Sequence, residues 1–232
     1  ELDIHLLLGV INMRIRYNEK KKENVDNDIL TGLFPTPIYL SKLKREFTKS
    51  ELQFVEKNKK KPYKNVGNVT SLDSYVLNKK PFAKLKKEIE SKIDIYFKNI
   101  FDPVDGIKFY ITQSWLNYTQ TNQFHHRHHH PNSFISGVFY FDCDEQFDRI
   151  TFHKEVLGIE KYLIFERKNW NHFNSDRWHF PLKNKDLILF PSHLNHEVEN
   201  KKGNNLRISL AFNVFIKGKI GQKFNLTELK LK

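Results

Sequence analysis

The chain has 232 residues, enough for one domain that buries most of its apolar surface, and its 20 Phe and 9 Tyr can furnish a large core or an aromatic-lined pocket. A single cysteine, Cys143, excludes an internal disulfide framework and fits a reducing compartment such as the cytoplasm, and no run approaches the ~18 apolar residues of a membrane span. The formal net charge of +12 admits a nucleic-acid or acidic partner, but the lysines are spread through most of the chain and form no single patch.

Met13 is the only methionine, and translation is expected to begin there, with residues 1–12 upstream. Residues 14–30, RIRYNEKKKENVDNDIL, are polar and charged, and 1–30 reads as a flexible arm. The segment LFPTPIYLSKL from Leu33 mixes apolar residues with two prolines, which suits an extended edge better than a helix. Thr48 followed three positions later by Glu51 is a capping-box signature for a short helix. The clearest helix runs from about Pro81 to Ile100. There Phe82, Leu85, Ile89, Ile93, Tyr96, Phe97 and Ile100 recur at spacings of three and four, a stripe that should pack on a sheet.

From residue 107 the period changes. IKFYITQSWLNY, FISGVFYF, ITFH, KYLIFE, DLILF and LRISLAFNVFI are short β-branched or aromatic runs separated by turn residues. Helices first and many strands after predict a mainly β domain over 31–232, with helices packed against one sandwich or jelly roll. Residues 154–185 read as an insertion between core strands, either a lid or cleft wall or a surface elaboration.

HHRHHHPNS, residues 125–133, places five histidines before a proline. On a strand, His126, His128 and His130 point one way and His125 and His129 the other. Two imidazoles at i and i+2 can meet one ion, and Pro131 ends the ladder. A third ligand must come from His153, His172, His179, His193 or His196. His196 stands out, because DLILFPSHLNHEV runs a buried strand into a bend at Pro191. His193 and His196 are three apart, so only one of them is expected to face inward. The bland alternative is a solvated basic patch or a set of core histidines.

In LRISLAFNVF, Arg207 and Ser209 share a face with Ala211 and Asn213, while Ile208, Leu210 and Phe212 face the core. An inward guanidinium is costly unless an anion meets it. A bidentate carboxylate, with Ser209 adding a hydroxyl donor, satisfies it, and so does an internal Asp or Glu. The ENKKGNN turn, residues 199–205, lets the His196 and Arg207 strands be hairpin neighbours.

Together, HHRHHHPNSFISGVFYF, LILFPSHLNHEV and RISLAFN resemble the 2-oxoglutarate and Fe(II)-dependent oxygenases found in bacteria and marine phages. That group shares an H-x-H-P…S-G-V…Y pattern, a strand ending F-P-S before a distal His, and an R-I-S-x-A-F-N strand. The resemblance extends over most of the chain from Leu33 and includes SWLN at Ser114 to Asn117. It implies a double-stranded β-helix, a jelly-roll barrel with the metal in its mouth. It maps His128, His130 and His196 onto the iron-binding positions, Arg207 and Ser209 onto the distal carboxylate of 2-oxoglutarate, and Asn117 onto the cosubstrate pocket. The implied cofactors are Fe(II), 2-oxoglutarate and O2.

The wider superfamily uses two histidines and a carboxylate, whereas His130 stands at the acid position here. His126 with His128 is the competing pair, and Asp142 or Asp144 is a further candidate ligand; His128 belongs to both histidine registers. The implied activity is C–H hydroxylation with release of succinate and CO2. A peptidyl substrate is favoured by analogy over a nucleic-acid base or a small metabolite. The rival classes are a non-oxidative cupin-like metal- or sugar-binding jelly roll, which leaves Arg207 and Ser209 unexplained, and a basic nucleic-acid-binding protein.

Overall fold

Strand alternation and one helical stripe build this molecule in layers. The computed structural model describes residues 32–155 and 166–231. The arm read over 1–30, the start expected at Met13, and residues 156–165 of the 154–185 segment lie outside the described residues. The chain divides into two units after Pro35, and the architecture below is that of the second.

In chain order the elements are β1 (Tyr39–Lys42), α1 (Lys49–Lys59), β2 (Pro62–Lys64), β3 (Val69–Ser71), α2 (Ala83–Ile100), β4 (Lys108–Thr119) and β5 (His125–His128). There follow β6 (Ile135–Asp142), β7 (Arg149–His153), β8 (Arg177–Pro181), β9 (Asp186–Pro191), β10 (His196–Val198), β11 (Arg207–Ile220) and β12 (Leu229–Leu231). The larger sheet has the order β1-β9-β6-β11-β4-β3-β2, with β12 on β11, and the smaller has β5-β10-β7-β8. This is the expected mainly β class with helices on one side. No helix among the described residues is long and apolar enough to cross a membrane.

α1 begins at the capping box: the Glu51 N–H donates to Thr48 Oγ1 at 3.2 Å and the Thr48 N–H to Glu51 Oε2 at 2.7 Å. Glu51 is fully buried because Arg45 also grips it, with bonds of 2.8 and 2.6 Å to its two oxygens. Pro81 sits in a 3-10 turn, Lys80–Phe82, that leads into α2. Its stripe of Leu85, Ile89, Ile93, Tyr96 and Phe97 is buried, while Ile100 is exposed. Among the described residues β1 pairs only with β9, so the Pro-containing LFPTPIYLSKL run does supply an edge strand.

The central strands β9, β6 and β11 of the larger sheet are buried on both faces. On the helix side, Leu116, Ile135, Phe139, Leu189, Leu210 and Phe212 pack with Leu85, Ile89 and Ile93. On the other side Val138, Tyr140, Ile188 and Phe190 meet Ile150 and Phe152 of the smaller sheet. β6 therefore reads as a continuous apolar run, since both faces are covered. Within it, a Cβ on Gly137 would come to 2.1 Å from the ring of buried Phe212 on β11, so the missing side chain is what lets these strands pair with that ring between them.

Candidate active site

His196 opens β10 and lies directly across from His128 on one side and Phe152 on the other. The β5 ladder is irregular: His128 opposes His196, yet His125 opposes Val198. One extra residue on β5 makes a bulge, and a bulge breaks the alternation of faces. His125 therefore stacks on His128, with ring centroids 4.5 Å apart, and both line the cavity between the sheets. Strict alternation had placed His125 on the opposite face. β5 also ends at His128, so His130 lies beyond the ladder. It is held by its own N–H donating to the Ser192 carbonyl at 2.9 Å and by stacking on Trp115.

The ring nitrogens of His128, His130 and His196 all lie within 4.8 Å of one another. Nδ1 of His128 is 2.7 Å from the His126 carbonyl, and Nδ1 of His196 is 3.0 Å from the Leu194 carbonyl. A carbonyl only accepts, so each Nδ1 carries the proton and each Nε2 keeps its lone pair. Nε2 of His130 is 3.3 Å from Nε2 of His196. Two nitrogens bound at about 2.1 Å to one ion in tetrahedral array stand about 3.4 Å apart, so this pair already has ligand spacing.

Burial, reinforced by the neighbouring imidazoles, pushes His130 down to about 4 and His196 well below its ordinary value. Burial likewise lowers His128, and pushes His125 down to about 3. Neutral imidazoles are the form that binds a metal.

The other predicted residues separate cleanly. His193 is exposed while His196 is buried, so one of the two faces inward as expected, although His193 lies in the turn after Pro191 and not on extended chain. His126 is exposed and joins a second cluster with His125 and His128, again within 4.8 Å. Among the described residues no carboxylate joins either cluster. Asp142 accepts from Asn205 and Asp144 from the Gln146 N–H.

β11 keeps the alternation read from its sequence. Ile208, Leu210 and Phe212 enter the helix-side core, while Arg207, Ser209 and Ala211 line the cavity. Ser209 stands between Asn117 of β4 and Tyr140 of β6. Asn117 Nδ2 is 3.5 Å from Ser209 Oγ, and Asn117 Oδ1 is buried without a hydrogen-bond partner.

Arg207 is 3% exposed, and the acid within reach of it among the described residues is Asp148, at 3.6 Å. That is beyond hydrogen-bond range. Asp148 is shared with buried Lys201 at 3.9 Å, and its second oxygen accepts from the Asp144 N–H at 2.8 Å. Lys201 is held by the Gly203 carbonyl and Asn205 Oδ1, whereas Arg207 has only this long contact to a carboxylate among the described residues, which leaves donors for a ligand carboxylate. The cavity, about 40 Å³, has the imidazoles of His128, His130 and His196 and the Arg207 and Ser209 side chains in its wall. Three clustered imidazoles, two of them with a lone pair fixed on Nε2, together with an under-paired guanidinium and an orphaned amide oxygen form a donor set that fits a metal ion and an anionic chelator.

Some residues that hold the site escaped the sequence reading. Ser192 Oγ is 2.8 Å from Ser136 Oγ and donates to Ser133 Oγ at 2.7 Å, while Ser136 also contacts Asn213 Oδ1. This buried network ties the His130 turn to the end of β9. Ser136, Ser192 and Asn213 stand in the S-G-V, F-P-S and R-I-S-x-A-F-N motifs, which was the available signal; Ser133 stands outside them. Tyr140 and Trp115 likewise stand in the S-G-V…Y and SWLN motifs, whereas Asp148 had no such signal, because its role depends on a cross-strand neighbour.

Residues 113–213, from β4 into β11, match the family model described as "Putative 2OG-Fe(II) oxygenase". The chain is a 2-oxoglutarate/Fe(II)-dependent oxygenase. The matched span contains every strand that carries the imidazole cluster and the arginine, and the cofactors of this oxygenase are Fe(II) and 2-oxoglutarate. No curated protein matches it by sequence.

Among solved structures, the non-heme alpha-ketoglutarate-dependent epimerase SnoN of nogalamycin biosynthesis is 8% identical with a TM-score of 0.53, over 82% of this chain and 84% of that one. HygX from Streptomyces hygroscopicus, solved with nickel, 2-oxoglutarate and hygromycin B, is 10% identical with a TM-score of 0.51, over 77% and 82%. A Trichoplax adhaerens prolyl hydroxylase, in complex with a peptide fragment of the hypoxia inducible factor, is 12% identical with a TM-score of 0.51, over 77% and 83%. Such likeness speaks for the fold: the oxygenase is a double-stranded β-helix.

Proposed function

We propose that the oxygenase holds Fe(II) with His128, His130 and His196, binds the distal carboxylate of 2-oxoglutarate with Arg207 and Ser209 beside Asn117, and hydroxylates a C–H bond of a peptidyl substrate. The observation that carries this reading is the convergence of three neutral imidazoles from two distant segments in one cavity with an under-paired arginine. When bound, iron and 2-oxoglutarate supply the oxidising chemistry with O2, yielding succinate and CO2 from the cosubstrate.

The chain's own part is binding and orientation. Carbonyls at His126 and Leu194 fix the tautomers of His128 and His196, so both aim Nε2 inward. Three neutral ligands leave the ion its full double charge, where two histidines and a carboxylate would leave one less. The anionic cosubstrate then meets uncompensated charge at both of its ends, from the ion and from Arg207. Burial of Arg207 strengthens that bond, because water does not compete for the guanidinium. Phe190, Ile150 and Val138 line the same cavity and keep it partly apolar.

A peptidyl substrate is supported by the placement of β5. This strand borders the cavity and, among the described residues, pairs only with β10, so its outer edge can take an extended peptide as an added strand. Neighbours of the same fold carry a peptide fragment in one case and hygromycin B in another, so fold does not choose between them.

The test is turnover of 2-oxoglutarate with Fe(II), with and without a peptide library, alongside binding of 2-oxoglutarate to the Mn(II) form. Succinate release stimulated by particular peptides is the expected result. Absence of any 2-oxoglutarate binding to the Mn(II) form would overturn the assignment of the anion pocket, and stimulation by small metabolites alone would overturn the peptide.

A further inference from the structure

We infer that the oxygenase carries a second divalent-metal site, formed by His125, His126 and His128, that competes with iron for the ring of His128 and takes Zn2+. The inference rests on the iron assignment above, because the competition requires His128 to serve both sets. The observation is that two three-histidine clusters, each with its ring nitrogens within 4.8 Å of one another, share this one residue.

The bulge on β5 is what creates the second cluster. In a regular strand His125 would turn away from His128; the extra residue brings the two rings into a stack 4.5 Å apart. The His126 ring lies 4.9 Å from that of His128 and 5.4 Å from that of His125. His126 is exposed, whereas His196 of the iron set is 7% exposed. An ion can thus reach the second set directly from solvent, and the exposed His126 side chain is free to close on it.

Imidazole nitrogens suit Zn2+, which takes three of them with a water in tetrahedral array and has no need of a carboxylate. Ligand nitrogens then stand about 3.4 Å apart, within the reach of small ring movements from the present spacing. One imidazole serves two ions only by losing its second ring proton, and the Nδ1 of His128 is held by the His126 carbonyl. Zn2+ at the second set therefore withdraws His128 from the iron set, and the two occupancies exclude each other.

The experiment is titration of the full chain with Zn2+ alone, and with Co2+ as a coloured stand-in, in wild type, His196→Ala and His196→Ala/His126→Ala. His196→Ala dismantles the iron set and leaves the second set whole. It should bind one Zn2+ per chain, and adding His126→Ala should weaken that binding by more than about 100-fold, since losing a ligand costs more than losing a ligand's hydrogen-bond partner. In turnover assays at fixed Fe(II), half-inhibition by Zn2+ should need about tenfold more of it in His126→Ala than in wild type. Circular dichroism checks folding, and His130→Ala replaces His196→Ala if the latter does not fold. A folded iron-set variant that binds no Zn2+, or binds it equally with and without His126, overturns the second site. Undiminished Fe(II)-dependent turnover of 2-oxoglutarate by His196→Ala/His126→Ala, which lacks a full histidine set of either kind, overturns the iron assignment instead, so the two failures are distinguishable.

Discussion

Arg207 and Asp148 face each other in the interior at 3.6 Å, an ion pair too long to be a hydrogen bond. Asp148 is shared with Lys201 and bonded by a backbone N–H, so it satisfies Arg207 only in part. If the remaining capacity of the guanidinium is for a ligand carboxylate, Arg207→Ala should weaken 2-oxoglutarate by about 2–4 kcal/mol, or about 30- to 1000-fold. Metal affinity should change by less than about threefold, because the imidazoles keep their own partners. Calorimetric titration of the Mn(II) form measures both. Arg207→Lys should recover part of the loss, since an ammonium keeps the charge but not the paired donors.

In a His126→Ala background, which lacks the second histidine set, His196→Ala should abolish the stabilisation that Fe(II) or Mn(II) gives the fold. Wild type should gain about 2.7 kcal/mol at a metal concentration 100 times Kd, and a chelator should remove that gain. The check is thermal melting with and without metal. A variant that still melts higher with Fe(II) or Mn(II) would count against His196 as a ligand.

Gly137→Ala should destabilise the protein by about 1–3 kcal/mol, because the new methyl would lie 2.1 Å from the Phe212 ring and that ring is fully buried. Phe212→Leu alone should also destabilise, but combined with Gly137→Ala the two costs should fall short of their sum. Urea unfolding of the four proteins tests this. Strict additivity would mean that the sheet shifts and the ring does not give way.

The Arg45–Glu51 pair makes stability sensitive to acid. Burial alone would push the Glu51 carboxyl up, but the hydrogen bonds from Arg45 and the Thr48 N–H outweigh it and hold the group below its ordinary value of 4.5. A carboxyl depressed in the folded state contributes stability that is fully present above the unfolded value, and this is lost as pH falls through the folded value. Wild-type melting temperature should therefore drop as pH is taken below about 4.5. Glu51→Gln should melt lower at neutral pH, by an amount reflecting about 2–4 kcal/mol for breaking a buried pair. It should also show a shallower acid slope, and equal slopes in the two proteins would assign the acid sensitivity to other carboxyls.

What consecutive residues encode was legible at once. The capping box at Thr48 and Glu51, the apolar stripe of α2, and the alternation that turns Arg207 and Ser209 away from Leu210 and Phe212 each depend on local hydrogen bonds or side-chain period. His196 likewise stood out through its place after the buried DLILF strand and the bend at Pro191, although the structure separates it from His193 by a turn where extended chain was expected. The tertiary structure alone decided which imidazoles meet. His130 and His196 are 66 residues apart in sequence, and their approach is set by how β5 registers on β10 and by the serine network that anchors the turn after His128. One extra residue in β5 brought His125 to the cavity, and nothing in HHRHHHPNS announces that bulge. Asp148 reached Arg207 in the same way, from a turn with no sequence link to it. Periodicity is a property of one strand and can be read along it. Register and convergence are properties of pairs of strands, and they exist only once distant segments have found each other.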